Sequence, residues 1–461
     1  MAATDILGTT DAAHLLRRAG FGATAKDLAH FAPLTRAAAV SQLLDLKPRR
    51  SRPPGGNDTA VGLAAMQRWW LKQMLAPKYR LHEKLALFWS GHFGTAFGKT
   101  PDTLRLARHN ALLRQLGTGS FRTLLYEVTR DGGMLLFRDG ASNEQPNANE
   151  GYAIALLGQY ALGETDSAGA ANYAQTDVSE LARALTGYRL GPRDQVGKVS
   201  ADAFDAGAKH LFPGNTAEAT GNLGVEDATG VQFPPATNVI DLLFAHRDTD
   251  ARPTLARFLS RKLFEFFAYP APDLAIVDEL ADAFVASGYV AGELVRAILS
   301  HDAFWSDAAR SSTVRSPVEL ALASLNALGA KASPVALPVA LEAMGMSLFD
   351  PPQDGWNTGT DWLGAGLYLA RLDFAQALAA GRSGRTYVLA PKRLFDPRAT
   401  DDAVLVDGLL ARLDVVPSAA GRQALLDYLA GAVGLDPKDR TERKLRGLVA
   451  LALSLPEYQR H

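Results

Sequence analysis

Apolar residues recur every three or four positions along most of this chain, and that spacing confines it to a mainly helical fold. The pattern is plain at Leu15, Leu16 and Ala19, at Leu81, Leu85, Phe88 and Trp89, and at Leu255, Phe258, Leu263 and Phe266. Each set gathers on one face of a helix, and such a face must be buried against another element. Helix starts are signalled independently. Thr24 stands before Ala25-Lys26-Asp27, and Ser316-Pro317 before Val318-Glu319-Leu320, so a hydroxyl cap precedes each first turn and proline opens the second helix. With 461 residues, 47% of them hydrophobic, the chain can close a substantial core. The expected fold is mainly α, a single large multi-helical domain.

The helical period lapses from about Gly187 to Pro235, where Gly, Pro, Asp, Asn and Thr accumulate and Lys198-Val199-Ser200 has the makings of a short β-hairpin. A long irregular excursion in a compact protein is either a binding loop or a surface insertion, and the sequence leaves both readings open. A second break at Lys331 to Pro338 divides the chain into a main helical body, 1–330, which carries the 187–235 insertion, and a C-terminal helical portion, 331–461, packed on it rather than independent. Ser51-Arg52-Pro53-Pro54-Gly55-Gly56 marks an exposed loop. No repeat of fixed period appears, which argues against a solenoid.

Charge and composition exclude several function classes. Lys plus Arg number 48 against 49 for Asp plus Glu, which gives no global electrostatic case for nucleic acid or an anionic membrane. Cysteine is absent, removing disulfides, thiolate metal sites and cysteine nucleophiles. Met1 to Gly22 lacks an apolar segment after a basic tip, and no run approaches the roughly 20 apolar residues of a membrane span, so the chain as given is expected to be soluble and cytoplasmic. There is no phosphate-binding Gly-x-x-x-x-Gly-Lys-Ser/Thr loop, no His-Glu-x-x-His zinc helix and no Gly-x-Ser-x-Gly elbow.

The chemically suggestive segment is Pro146-Asn147-Ala148-Asn149-Glu150-Gly151-Tyr152, a polar helix start, followed downstream by Ala182-Arg183-Ala184-Leu185-Thr186-Gly187. Further segments are His14-Leu15-Leu16-Arg17-Arg18-Ala19-Gly20-Phe21-Gly22, Glu83-Lys84-Leu85-Ala86-Leu87-Phe88-Trp89-Ser90-Gly91-His92-Phe93, Phe204-Asp205-Ala206-Gly207-Ala208-Lys209, Ala256-Arg257-Phe258-Leu259-Ser260-Arg261-Lys262-Leu263 and Pro351-Pro352-Gln353-Asp354-Gly355-Trp356. In this order they resemble a large bacterial family, domain of unknown function family 1800, whose biochemical role is not established. The resemblance implies a polar helix face rich in carboxylates with one arginine. Positions 150, 154 and 158 fall on one face of a regular α-helix, yet here they are Glu150, Ile154 and Gly158, with Ala155 at a position acidic in relatives. Phe204 stands where relatives tend to place histidine. The resemblance also implies that relatives are commonly exported and that a sulfatase-like protein, encoded nearby, is a partner.

Two readings follow. In the first the protein is a divergent hydrolase of a glycan or another envelope polymer, with Glu150 and Asp205 as acid and base across one cleft and His92 as a further catalytic candidate, although a buried, hydrogen-bonded structural histidine is the stronger reading of His92. Arg17, Arg18, Asn149, Tyr152, Arg183, Lys209 and Trp356 are its candidate ligand contacts, with helix-tying and packing roles as the plainer account of the arginines and of Trp356. In the second, the lost polar residues mark a noncatalytic binding or assembly protein. A metal-dependent oxidoreductase ranks below both because no two histidines stand at ligand spacing on one helix. The cofactor is unassigned.

Overall fold

The computed structural model describes residues 5–45, 51–56, 58–192, 194–213, 219–221, 239–310, 312–382, 386–395, 399, 401–431 and 442–461. Among these residues the chain is mainly α-helical, and its strands form only three antiparallel two-stranded pairs. None of its described helices is long and apolar enough to cross a membrane.

The capping residues act as their chemistry requires. Thr24 Oγ1 accepts from the Asp27 backbone N–H at 3.2 Å while Asp27 accepts from the Thr24 N–H at 2.9 Å, closing a capping box at the head of Ala25–Phe31. Glu319 likewise accepts from the Ser316 N–H at 2.7 Å, with Pro317 at the first helical position of Pro317–Leu328.

Within the irregular excursion, Tyr188–Arg189 pairs with Lys198–Val199, so Lys198 and Val199 are in a strand and Ser200 follows it. Lys209–Leu211 pairs with Ala219–Gly221. Residues 193, 214–218 and 222–235 of the expected 187–235 excursion lie outside the described residues. At the second expected break, Lys331–Ala332 pairs with Tyr387–Val388.

Two apolar cores organise the helices. The first gathers Leu15, Leu85, Trp89, Phe121, Leu156 and Phe264 among others, and the second gathers Met66, Trp70, Leu322, Leu378 and Leu448. Helix Arg80–His92 belongs to both, giving Leu81, Leu85, Phe88 and Trp89 to one and Ala86 and Leu87 to the other. It is therefore buried on nearly every side, its charged residues included. Glu83 accepts from Arg114 Nη2 at 2.6 Å and from the Trp70 indole at 3.1 Å, and Lys84 pairs with Glu319. Buried charges are tolerated only when paired and hydrogen-bonded in this way.

Candidate functional site

Glu150 opens the short helix Gly151–Ile154, which passes directly into a π-helix, Ala155–Ala161, marked by the Leu162 N–H donating five residues back to Leu157 O at 2.8 Å. The wider turn changes the face relation expected of positions 150, 154 and 158, because a spacing of four returns to the same face only while the helix remains α. Ile154 is 47% exposed, whereas Gly158 is packed beneath Tyr173, whose hydroxyl would stand 2.7 Å from a Cβ at that position.

The side chains that meet Glu150 come from helix Gln175–Ala184. Gln175 donates to one carboxylate oxygen at 2.8 Å and Ser179 to the other at 2.6 Å. One turn further along the same helix, Arg183 Nε and Nη2 donate to Asp205 at 2.8 and 3.3 Å, and Nη1 donates to Glu180 at 2.7 Å. Asp205 also accepts from the Gly207 N–H at 2.8 Å, while its own N–H donates to Thr186 Oγ1 at 2.8 Å. Glu150, Arg183 and Asp205 are thus brought to one ledge, with Glu150 and Asp205 engaging residues 179 and 183, neighbours on one helix face. Both carboxylates are already bonded within the chain.

The electrostatics of this ledge suit a structural clamp. The Arg183 hydrogen bonds hold the Asp205 carboxyl below the usual carboxylate range against a smaller contribution from burial. Lys209 is buried with its ammonium 4.6 Å from the Phe204 ring centre and bonded to the Asp205 carbonyl; desolvation lowers its pKa. Asn149 caps locally, accepting from the Gly151 N–H at 2.9 Å while its own N–H donates to Asn143 at 2.7 Å.

The remaining candidates lie apart from the ledge. Tyr152 is a core residue whose hydroxyl donates to Thr129 O at 3.0 Å; burial first, then the neighbouring Tyr160, raises its pKa well above the ordinary phenol value. His92 is enclosed by Phe88, Trp89, Phe93 and Tyr160, with Nε2 3.1 Å from Tyr160 O; burial and then Lys262 keep its pKa well below the ordinary imidazole value. Arg18 is buried and donates to the carbonyls of Phe267 and Ala268, both at 2.7 Å, which ties two helices together. Arg17 is buried and pairs with Asp414. Trp356 packs against Gly91, beside a void of about 10 Å³ also lined by Ser90, His109 and Asn110. Six residues further along the chain, Trp362 is 3% exposed and belongs to the second core.

Sequence reasoning passed over the residues that satisfy Glu150. Gln175, Ser179 and Arg183 repeat at intervals of four on one helix, a polar stripe that was available to the same periodicity argument. It also passed over a cleft of about 480 Å³ at Phe21, helix Ala25–Phe31, the end of Arg36–Leu44 and the turn from Met74 to Arg80. No cluster of three or more His, Asp or Glu among the described residues is arranged to hold a metal ion.

A family model described as protein of unknown function, DUF1800, matches residues 14–460. No curated protein and no solved structure matches the chain.

Proposed function

We propose that this chain, which belongs to the DUF1800 family, is a noncatalytic binding or assembly protein. The observation that carries this reading is the internal use of both candidate carboxylates, Glu150 by Gln175 and Ser179 and Asp205 by Arg183. A glycosidase acid needs a carboxyl whose pKa is raised toward neutrality. Asp205 is displaced the other way. The ligand-sized cleft at Phe21 to Arg80 also involves neither carboxylate, and its volume of about 480 Å³ suits a small molecule.

The test compares the wild-type protein with a Glu150→Gln/Asp205→Asn double variant on peptidoglycan and a polysaccharide panel, scoring new reducing ends, with a thermal melt to verify folding. Neither protein is expected to turn substrate over. Turnover by the wild type that disappears in a folded double variant would restore the hydrolase reading. For the assembly role, the partner class that the family resemblance implies is a sulfatase-like protein, and co-purification of the two tests that pairing.

A further inference from the structure

We infer that the small void beside Trp356 is a binding site for a single internal water, which fastens the 351–356 segment to helices Arg80–His92 and Thr103–Leu116. The inference is independent of the binding reading above. Four polar groups from separate parts of the chain line this void: the Ser90 and Thr95 hydroxyls, the Asn110 amide and the Trp356 indole. Asn110 is 2% exposed and Thr95 7% exposed, so water reaches them only by entering the fold. Asn110 Nδ2 and Trp356 Nε1 are buried without a hydrogen-bond partner, and neither hydroxyl has one among the described residues. Buried donors in that condition carry the full cost of their lost hydration.

The orientation of Asn110 is fixed by its other end. Its Oδ1 accepts from Arg114 Nε at 2.7 Å, which commits Nδ2 to the side away from that guanidinium. The void therefore presents two N–H donors and two hydroxyls able to accept. One water answers all four, with two lone pairs for the N–H groups and two protons for the hydroxyls. A volume of about 10 Å³ holds one group of that size and nothing larger. Charge decides against a monatomic anion. Arg114 is already paired with Glu83 at 2.6 Å, and His109 Nδ1 lies 3.0 Å from Asp131 while its Nε2 lies 3.1 Å from Phe93 O. An anion here would be buried against cations that their own carboxylates have answered. An apolar filling would leave both N–H groups unpaired.

A high-resolution crystal structure of the intact chain tests the proposal. It should show one oxygen-sized peak roughly 2.7–3.2 Å from both Asn110 Nδ2 and Trp356 Nε1. Urea unfolding of Thr95→Val, Trp356→Phe and the double variant tests whether the two groups share that water, with Ser90→Ala replacing Trp356→Phe if the latter does not fold. Because losing either group already weakens the bridge, the double variant should fall short of the product of the single effects by about fivefold in the unfolding equilibrium constant. Effects that simply multiply would mean that no common partner joins them. A void without density, or an indole bonded directly to Thr95 Oγ1, would overturn the water. Anomalous density in the void of a bromide-soaked crystal would overturn the neutral ligand in favour of an anion.

Discussion

Glu83 and Lys84 are adjacent in the chain, opposite in charge, and buried, yet they do not pair with each other. Glu83 turns to Arg114 and Trp70, while Lys84 turns to Glu319 and donates to Gly20 O at 3.2 Å. Successive helical residues point in directions about 100° apart, so each charge found its partner on a different neighbouring element. Two charged residues of a segment that carries the family resemblance are here a pair of interior ties. Replacing Glu83 with alanine leaves the Arg114 guanidinium buried without its carboxylate, which should cost about 3–5 kcal/mol in urea unfolding, and a second change, Arg114→Met, should recover a large part of it. A single variant within about 0.5 kcal/mol of wild type would remove the tie from the account of stability. The segment was legible as important. Its partner at 114 was not, because nothing in local spacing links a glutamate to an arginine on the next helix.

At the scale of elements, helix Thr254–Phe267 was readable from Leu255, Phe258, Leu263 and Phe266, whereas the π-helix at Ala155–Ala161 was not. Seven residues are too few for periodicity to separate a wide turn from an ordinary one, and that one substitution rearranged the expected face of Glu150, Ile154 and Gly158. The two elements are joined by Lys262, whose ammonium donates to Gln159 O at 3.2 Å and lies 5.0 Å from the Phe258 ring centre. Burial lowers the Lys262 pKa to about 8, with Glu265 opposing the shift. An unfolded lysine titrates near 10.4, so between about pH 8 and about pH 10.4 the unfolded chain binds more protons and folding stability from this group rises with pH. The wild type should therefore gain stability relative to Lys262→Met across that window, measured as the difference between their urea-unfolding free energies. A difference that stays flat or falls with pH would show that the amine is not desolvated in the folded protein.

Across the whole molecule, the break at Lys331 to Pro338 divides the sequence more sharply than it divides the interior. The second core takes Met66 and Trp70 from the first hundred residues and Val318 and Leu322 from before the break, then adds Leu378 and Leu448 from beyond it. Such long-range closure is invisible to a reading that pairs each apolar face only with its sequence neighbours. Helix Arg80–His92 is the common wall of both cores, and Lys84 on that helix is bonded to Glu319 on Pro317–Leu328. Unfolding either core would expose apolar residues of this helix and strip a buried ion pair, a loss that the other core cannot absorb. The protein should accordingly unfold in one cooperative step, with helical circular dichroism and tryptophan fluorescence tracing the same urea transition, since Trp70 belongs to one core and Trp89 to the other. Two separated transitions, or fluorescence that changes before helicity, would mean that the 80–92 helix can serve one core after the other has opened.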